Sequence, residues 1–267
     1  MQNAGMNIIV CIKQVPDTSQ VKMDPETGTL IREGVPSIIN PEDRNALEEA
    51  VVLKERYSGK VTAITMGPPQ AEDALREALA MGVDEAILLT DKAFGGADTS
   101  ATSYTLGHAI KKLGDFDLIL CGRQALDGNT AQVGPQLAEF LELPQITYAR
   151  KIEIDGDRLR AERALEDGHE VIETKLPALV TTIKDLNTPR IPTLDAIMDA
   201  YREKEVTTWT SDDIDVDKNK IGLRGSPTRI RKAYPPELKS GQVEVLEGSL
   251  NDMAEMLLER LRESYLL

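Results

Sequence analysis

The sequence has little with which to do chemistry on its own. It holds two cysteines and two histidines in 267 residues, and neither pair has the spacing of a metal site. Cys11 and Cys121 each lie in an apolar, strand-like run, so buried thiols in a reducing compartment are expected, not a disulfide or a metal pair. His108 falls in a helical pattern and His169 in a polar turn, which makes both structural or solvated. No Ser/His/Asp or Cys/His arrangement occurs, and no carboxylate pair has an evident catalytic setting. No catalytic residue is therefore assigned, and chemistry is expected to come from a cofactor that the chain positions. Positive charge is also scarce, with 31 Lys and Arg against 45 Asp and Glu and a net charge of -14. That balance argues against a nucleic-acid or anionic-membrane surface. No apolar run approaches the ~20 residues that span a bilayer. No basic region followed by an apolar one opens the chain, so no secretory signal is expected. Met6 is a candidate natural start, and a cytoplasmic protein without membrane insertion is the expectation. Neither G-x-G-x-x-G nor G-x-x-x-x-G-K-[ST] is present.

What is present is a regular alternation. At 41% hydrophobic content the chain can build one large domain, or a domain plus an arm. Asn7 to Ile12 is a continuous β-branched run that reads as a buried strand. A hairpin is expected between Val21 and Val35. Asn40-Pro41-Glu42-Asp43 predicts a helix start, with Asn40 as cap, Pro41 at the first helical position and acids on the dipole. Strands follow over Lys60 to Met66, Glu85 to Thr90 and Asp117 to Cys121, with helices after Ala71 and over Thr99 to Leu113. This spacing predicts an α/β, doubly wound, mostly parallel sheet with helices on both faces. Ligands in such sheets bind at the carboxyl ends of the strands. From Gln145 the pattern changes to four strand-like stretches ending near Ile183, which read as antiparallel additions. A short helix is expected over Leu194 to Tyr201, then an extended C-terminal arm from Arg202, then a helix with Leu250, Ala254, Leu257, Leu258 and Leu261 on one face. Residues 1–200 and 201–267 are the expected division.

The stretch from Cys121 to Pro135 carries most of the chemistry. A buried strand there runs into a glycine-punctuated loop that opens a helix. Free N–H groups and the positive end of a helix dipole make a phosphate site, here expected to hold an adenine dinucleotide. A well-capped strand-to-helix turn is the plain alternative. With Asn129 or Thr130 as cap, Pro135 falls beyond the first turn and costs a backbone bond, so the helix begins nearer Gly134 or starts irregularly. Phe94-Gly95-Gly96-Ala97-Asp98-Thr99 resembles the S-G-G-x-D-S phosphate loop of ATP pyrophosphatases, although phenylalanine replaces the first serine and the loop follows the third strand. Arg224, Arg229, Arg231 and Lys232 form a basic cluster, read as solvated or as a contact for an acidic partner or phosphate.

Taken in order, Val10-Cys11-Ile12-Lys13-Gln14-Val15-Pro16-Asp17-Thr18, Asn40-Pro41, Thr65-Met66-Gly67-Pro68, Ala78-Leu79-Ala80-Met81-Gly82, Gly122-Arg123-Gln124-Ala125 and Leu143-Pro144-Gln145 are similar to the beta subunit of electron-transfer flavoproteins. The resemblance runs from Met6 to about Leu238. It implies an adenine nucleotide alpha hydrolase-like fold and a heterodimer with an alpha subunit carrying its own FAD. It places the nucleotide site on Cys11, Asn40, Pro41, Asp43, Met66 and the loop Gly122, Arg123, Gln124, Asp127, Gly128, Asn129, Thr130, Ala131, Gln132, Val133 and Gly134. That site holds AMP in housekeeping members and a second FAD in electron-bifurcating ones. Pro16-Asp17-Thr18 and Phe94, Gly95, Gly96 and Asp98 resemble the bifurcating group, where this neighbourhood receives NADH. In that group a hydride reduces the beta-site FAD. One electron then goes to ferredoxin or flavodoxin, and the other passes through the alpha-subunit FAD to an acyl-CoA dehydrogenase. Leu186, Asn187, Pro189 and Arg190 match the loop that recognises the dehydrogenase, with Leu186 as an exposed anchor. The C-terminal arm and helix are then expected to dock on the partner subunit. A non-bifurcating beta subunit holding AMP and an ATP-pyrophosphatase-like ligase are the alternatives.

Overall fold

The computed structural model describes residues 5–17, 22–23, 30–31, 36–229 and 245–267. The chain divides into two compact units, Met1–Arg231 and Lys232–Leu267. In the first unit β1 (Asn7–Cys11) is the middle of the parallel part of a nine-stranded sheet. On one side of it stand β6 (Lys60–Met66), β7 (Glu85–Leu89) and β13 (Val206–Trp209). On the other stand β8 (Leu118–Gly122), β12 (Ala178–Thr182) and β9 (Gln145–Asp155), then β10 (Arg158–Ala164) and β11 (His169–Lys175) at the edge. Every pairing from β9 through β12, β8, β1, β6 and β7 to β13 is parallel, and only β9–β10 and β10–β11 are antiparallel.

Alternation along these strands makes two cores. Ile8, Val10, Val61, Ala63, Leu118 and Leu120 face α1 (Pro41–Tyr57), α2 (Glu72–Ala80) and Ala200 of α5 (Leu194–Arg202). Ile9, Cys11, Ile64, Ile119 and Cys121 face α3 (Thr99–Leu113) and α4 (Val133–Phe140). Gly107 lets α3 and α4 approach, because a Cβ there would overlap the Phe140 ring. Tyr104 and His108 stack on that same ring, a structural use of the histidine.

The expected doubly wound sheet is present, with three corrections. First, β9 and β12 are parallel members of the sheet, not antiparallel additions. A crossover through α4 returns the chain in the same direction, and β12 then inserts between β8 and β9. Second, the chain from Arg202 is not an arm throughout, since Val206–Trp209 closes the sheet as an edge strand on β7. That stretch is too short to show a period. Third, neither Asn129 nor Thr130 caps α4, which begins at Val133, close to Gly134 as the proline implied. Pro135 is tolerated in a first turn, where no N–H is needed, so the helix can start only just before it.

Two small antiparallel sheets lie outside the main one. The first pairs β2 (Gln14–Pro16) with β5 (Ser37–Ile39), and the second pairs β3 (Lys22–Met23) with β4 (Leu30–Ile31), the expected hairpin. A single turn, α6 (Gly222–Gly225), is the last helix of the first unit. In the second unit α7 (Leu250–Glu263) starts at a capping box between Ser249 and Asp252. No described helix is long and apolar enough to cross a membrane.

Candidate functional site

The chain leaves β1 through α1 on one face, and it enters β8 from α3 on the other. The carboxyl ends of β1 and β8 therefore stand at the point where the winding reverses, the usual crevice of such sheets. One carboxylate ties the two ends together. Asp43 accepts from the Lys13 backbone N–H at 2.7 Å through Oδ2 and from the Gly122 N–H at 3.0 Å through Oδ1. Gly122 has to be glycine, since a Cβ would lie 2.7 Å from the Asp43 backbone nitrogen and overlap Asp43 Oδ1. Burial pushes the Asp43 carboxyl from 3.8 up to about 7, against the pull of Asn40 and the two N–H donors.

The rest of the first turn of α1 holds the chain that follows β8. The Asn40 side chain makes no helix cap, contrary to the expectation. Its Nδ2 donates to the Gln124 carbonyl at 2.9 Å, and its Oδ1 accepts from the Leu126 N–H at 3.0 Å. An amide that offers both a donor and an acceptor to one extended segment is better used there than on its own helix. Pro41 occupies the first helical turn as expected. Glu42 accepts from the Gln124 N–H at 3.2 Å and pairs with Arg123 at 2.9 Å. Burial raises the Glu42 carboxyl, opposed by the Arg123 charge. The Arg123 guanidinium also stands 5.7 Å from the centre of the Tyr148 ring.

Beyond these staples the loop opens to solvent. Residues 126–130 are exposed, and Asn129 and Ala131 take left-handed conformations with φ of 49° and 52°. A Cβ on Gly128 would meet nothing within 4 Å. Among the described residues, the backbone N–H groups of Thr130, Ala131, Gln132, Val133 and Gly134 meet no acceptor. Gly134 seats the start of α4 on the sheet, where a Cβ would come 2.5 Å from Thr181 Cγ2 and 3.1 Å from Cys121 Sγ. The Lys13 ammonium reaches the Asp127 carboxylate at 2.7 and 2.8 Å. Cys11 and Cys121 are register partners on β1 and β8. Burial pushes Cys11 up to about 12 and Cys121 well above its ordinary value, so both are neutral thiols. Met66 ends β6, beside β1, half-buried at the same edge.

The second glycine loop adjoins this one through Thr99 Oγ1, which donates to Gln132 Oε1 at 3.1 Å. Phe94 is buried in the core, while Gly95 and Gly96 are exposed, and Gly96 takes φ 71°. The Asp98 carboxylate is occupied: it caps α3 through the Ala101 N–H at 3.0 Å and accepts from the N–H and hydroxyl of Thr228 at 2.9 and 2.8 Å. The Asp98 N–H in turn donates to Ser226 Oγ at 2.8 Å. This strap fixes the segment that carries Arg224 and Arg229, whereas Arg231 and Lys232 lie outside the described residues. Pro16 closes β2, and the Asp17 N–H donates to the Pro36 carbonyl at 2.8 Å. Thr18 lies outside the described residues.

The segment expected to recognise a partner is strapped to α1. Asn187 and Asn45 exchange amide bonds, with Asn45 Nδ2 donating to the Asn187 side chain at 3.0 Å and Asn187 Nδ2 to the Asn45 carbonyl at 3.1 Å. Asn187 Nδ2 also reaches Glu49, whose carboxyl burial raises. Arg190 forks between Glu48 at 2.9 Å and Glu55 at 2.7 Å. Those partners, Glu55 first, hold its guanidinium above its ordinary value. Pro189 is half-buried between them. Leu186 is not the exposed anchor expected from the sequence: it is half-buried and packs on the α1-side core, because its turn (Lys184–Leu186) folds back against α1 and β9. The exposed apolar side chains come later, Ile191 at 88% and Leu194 at 72%, followed by Ile197, Met198 and Tyr201 of α5.

Comparison with known proteins places this arrangement. The family model of the electron transfer flavoprotein domain matches residues 27–214. The chain belongs to the electron transfer flavoprotein family. Over nearly its whole length it is similar to family members of known name. It is 58% identical to the electron transfer flavoprotein subunit beta of Clostridium acetobutylicum over 260 residues, covering 97% of this chain and 99% of that one. It is 51% identical over 263 residues to subunit CarD of the caffeyl-CoA reductase-Etf complex of Acetobacterium woodii, covering 98% and 100%. It is 45% identical over 269 residues to the acryloyl-CoA reductase electron transfer subunit gamma of Anaerotignum propionicum, covering 98% and 100%. Within this family chain the structure gathers Cys11, Asn40, Pro41, Asp43, Met66 and the loop from Gly122 to Gly134 at one sheet edge. Sequence reasoning passed over Lys13 as a site residue, although it lies just two residues after β1. It also passed over Asn45, Glu48 and Glu49, whose signal was a polar stripe at helical spacing on an otherwise apolar helix face.

Proposed function

We propose that this chain is the beta subunit of an electron-bifurcating electron transfer flavoprotein and holds FAD at the ends of β1 and β8. The observation that carries the reading is the row of unpaired N–H groups from Thr130 to Gly134, beside strand ends locked by Asp43. Unpaired amides at a helix start fit a diphosphate, and the neighbouring Lys13 adds the cation that two phosphates require. The residues present therefore fit the cofactor. FAD bound there would accept a hydride from NADH and exchange electrons singly. The chain's part is to bind and orient it: Asn40 and Glu42 fix residues 124–126, Gly122 and Gly134 give close approach, and the exposed loop receives the phosphates. The neutral, buried thiols of Cys11 and Cys121 supply an apolar wall and no nucleophile. NADH would approach over Pro16, Asp17 and the exposed Gly95–Gly96 backbone. Full-length similarity to subunits named for caffeyl-CoA reductase and acryloyl-CoA reductase supports this version and a cytoplasmic complex with an alpha subunit, an acyl-CoA dehydrogenase and ferredoxin or flavodoxin.

Partner docking shifts in residue, not in place. Ile191 and Leu194 are the side chains a dehydrogenase pocket could take, whereas Leu186 packs inward on the α1-side core. The helix that presents Leu194 is fixed at both ends. Thr193 caps it through the Ala196 N–H at 3.2 Å, and Arg76 donates to the Ala200 carbonyl at 2.7 Å. A side chain held this way enters a pocket at little entropic cost.

One observation favours a second reading. Both Asp98 oxygens already accept hydrogen bonds from the chain itself, which suits a beta subunit that holds AMP as a structural group and receives no nicotinamide nucleotide here. The same engagement removes the aspartate that an ATP-pyrophosphatase-like ligase would need. Purifying the heterodimer and counting cofactors separates the two: two FAD and no AMP per heterodimer is expected, and one FAD with one AMP would select the second reading.

A further inference from the structure

Lys13 and Asp127 stand on opposite lips of the proposed nucleotide cradle, one two residues after β1 and the other in the open loop after β8. The Lys13 backbone is fixed on both sides. Its N–H donates to Asp43 at 2.7 Å, and its carbonyl accepts from the Asn40 N–H at 2.9 Å. Only its side chain spans the gap, and it ends in two bonds to one carboxylate at 2.7 and 2.8 Å. Both side chains are substantially exposed, at 47% and 37%, and an ion pair of that kind contributes little. A partner of higher charge could therefore replace either member at small cost. Asp127 also lies three residues before the unpaired amides of Thr130 to Gly134, so it is already an anion where the backbone favours one.

We propose that Asp127 is a built-in substitute for the nucleotide phosphate. In the free chain it holds Lys13 across the mouth of the cradle. When an adenine nucleotide binds, its phosphate displaces the carboxylate and takes the ammonium. Lys13 is then a phosphate-binding residue, and Asp127 is its internal competitor. The proposal rests on the reading of this edge as a nucleotide site and adds a consequence that reading alone lacks. The two members of one ion pair act on affinity in opposite directions, whereas a bridge that merely braces the loop would make both variants weaker alike.

The test uses the full chain with its alpha subunit, stripped of nucleotide, and calorimetric titration with AMP, FAD and, as a phosphate-free probe, adenosine. Lys13→Gln should weaken AMP and FAD roughly 10-fold, the loss of one charge-assisted bond, and leave adenosine binding unchanged. Asp127→Asn should tighten AMP and FAD by roughly 3-fold or more, the release of a weak internal competitor. Lys13→Arg should restore most of the affinity that Lys13→Gln loses. Raising the salt concentration should narrow the difference between wild type and Lys13→Gln for AMP and not for adenosine. Weakening by both Lys13→Gln and Asp127→Asn would overturn the proposal, as would equal loss of adenosine and AMP. If the wild-type complex binds none of the three probes, the nucleotide reading itself falls and takes this proposal with it.

Discussion

Replacing Asp43 by asparagine tests the junction on which the cradle depends. The wild-type carboxyl titrates near 7 in the folded chain, against an ordinary value of 3.8. Between those values the folded protein keeps a proton that the unfolded chain has released. Stability therefore falls as pH rises through this window, the reverse of an ion-paired aspartate. At about 1.4 kcal/mol per pH unit the whole loss is roughly 4 kcal/mol at most. The substituted amide would offer one acceptor to the two converging N–H groups of Lys13 and Gly122, leaving one buried donor without a partner at a cost of about 1–3 kcal/mol. It would have no charge to desolvate. Asp43→Asn should thus be the less stable protein at pH 4, the gap should close and reverse between about pH 4.5 and 6, where the wild-type loss overtakes the cost of the unpaired donor, and the difference should level off above pH 7. Urea denaturation of the full chain at half-unit steps from pH 4 to 8, followed at its single tryptophan, Trp209, measures the difference directly. Glu42 and Glu49, whose carboxyls are also raised by burial, are common to both proteins and cancel to first order. A stability difference that stays flat or widens with rising pH would show that the backbone donors outweigh burial, and the reasoning would fail.

Four further outcomes are expected. Gly122→Ala forces a Cβ to within 2.7 Å of the Asp43 backbone nitrogen, so it should cost roughly 3 kcal/mol in denaturant midpoint and release bound nucleotide during purification. Leu194→Ser should leave stability within ~0.5 kcal/mol while slowing electron transfer to the dehydrogenase in stopped-flow assays. Leu186→Ala should do the opposite, costing about 2 kcal/mol through lost packing at unchanged transfer rate. Arg190→Ala strands Glu48 and Glu55 and should lower stability by about 1–2 kcal/mol, with weaker dehydrogenase binding and no change in nucleotide affinity, measured by calorimetry.

Much of the framework was legible because it depends on pattern alone. The buried run at Asn7–Cys11, the full extent of Lys60–Met66 and the helix Thr99–Leu113 follow from apolar periodicity and capping residues. Strand order was not legible past Gln145. Nothing in the residues of Ala178–Thr182 says that this strand inserts between β8 and β9, since that depends on where the α4 crossover lands. The site was legible as a place and not as a set of bonds. Asn40 reads as a helix cap from its neighbours, and only the proximity of residues 124–126 gives its amide a better use. Leu186 and Leu194 are both leucines near the same proline-rich stretch, and burial alone separates a support from an exposed anchor. Asp98 reads as a ligand group in a glycine loop, yet its partners, Ser226 and Thr228, lie far along the sequence.

The residues that hold the cradle and those that hold the docking segment lie on one helix. Asn40, Glu42 and Asp43 grip the chain after β8 from the first turn of α1 and the residue before it, and Asn45, Glu48, Glu49 and Glu55 grip residues 187–190 from the turns that follow. Thr182 adds to the first set, since its hydroxyl donates to the Glu42 carbonyl at 3.1 Å and its carbonyl accepts from the Arg123 N–H at 2.8 Å. The apolar face of α1, with Leu47, Val51 and Leu53 buried, is locked into the core. The helix is therefore placed to act as a rigid spacer and not as a lever, and on the proposed function its position would set the distance between the nucleotide edge and the partner surface. A rigid spacer is also why cutting the strap at Arg190 is expected to disturb docking while the nucleotide end keeps its affinity: the bonds at Asn40 and Asp43 are anchored by α1's own packing, not by the strap.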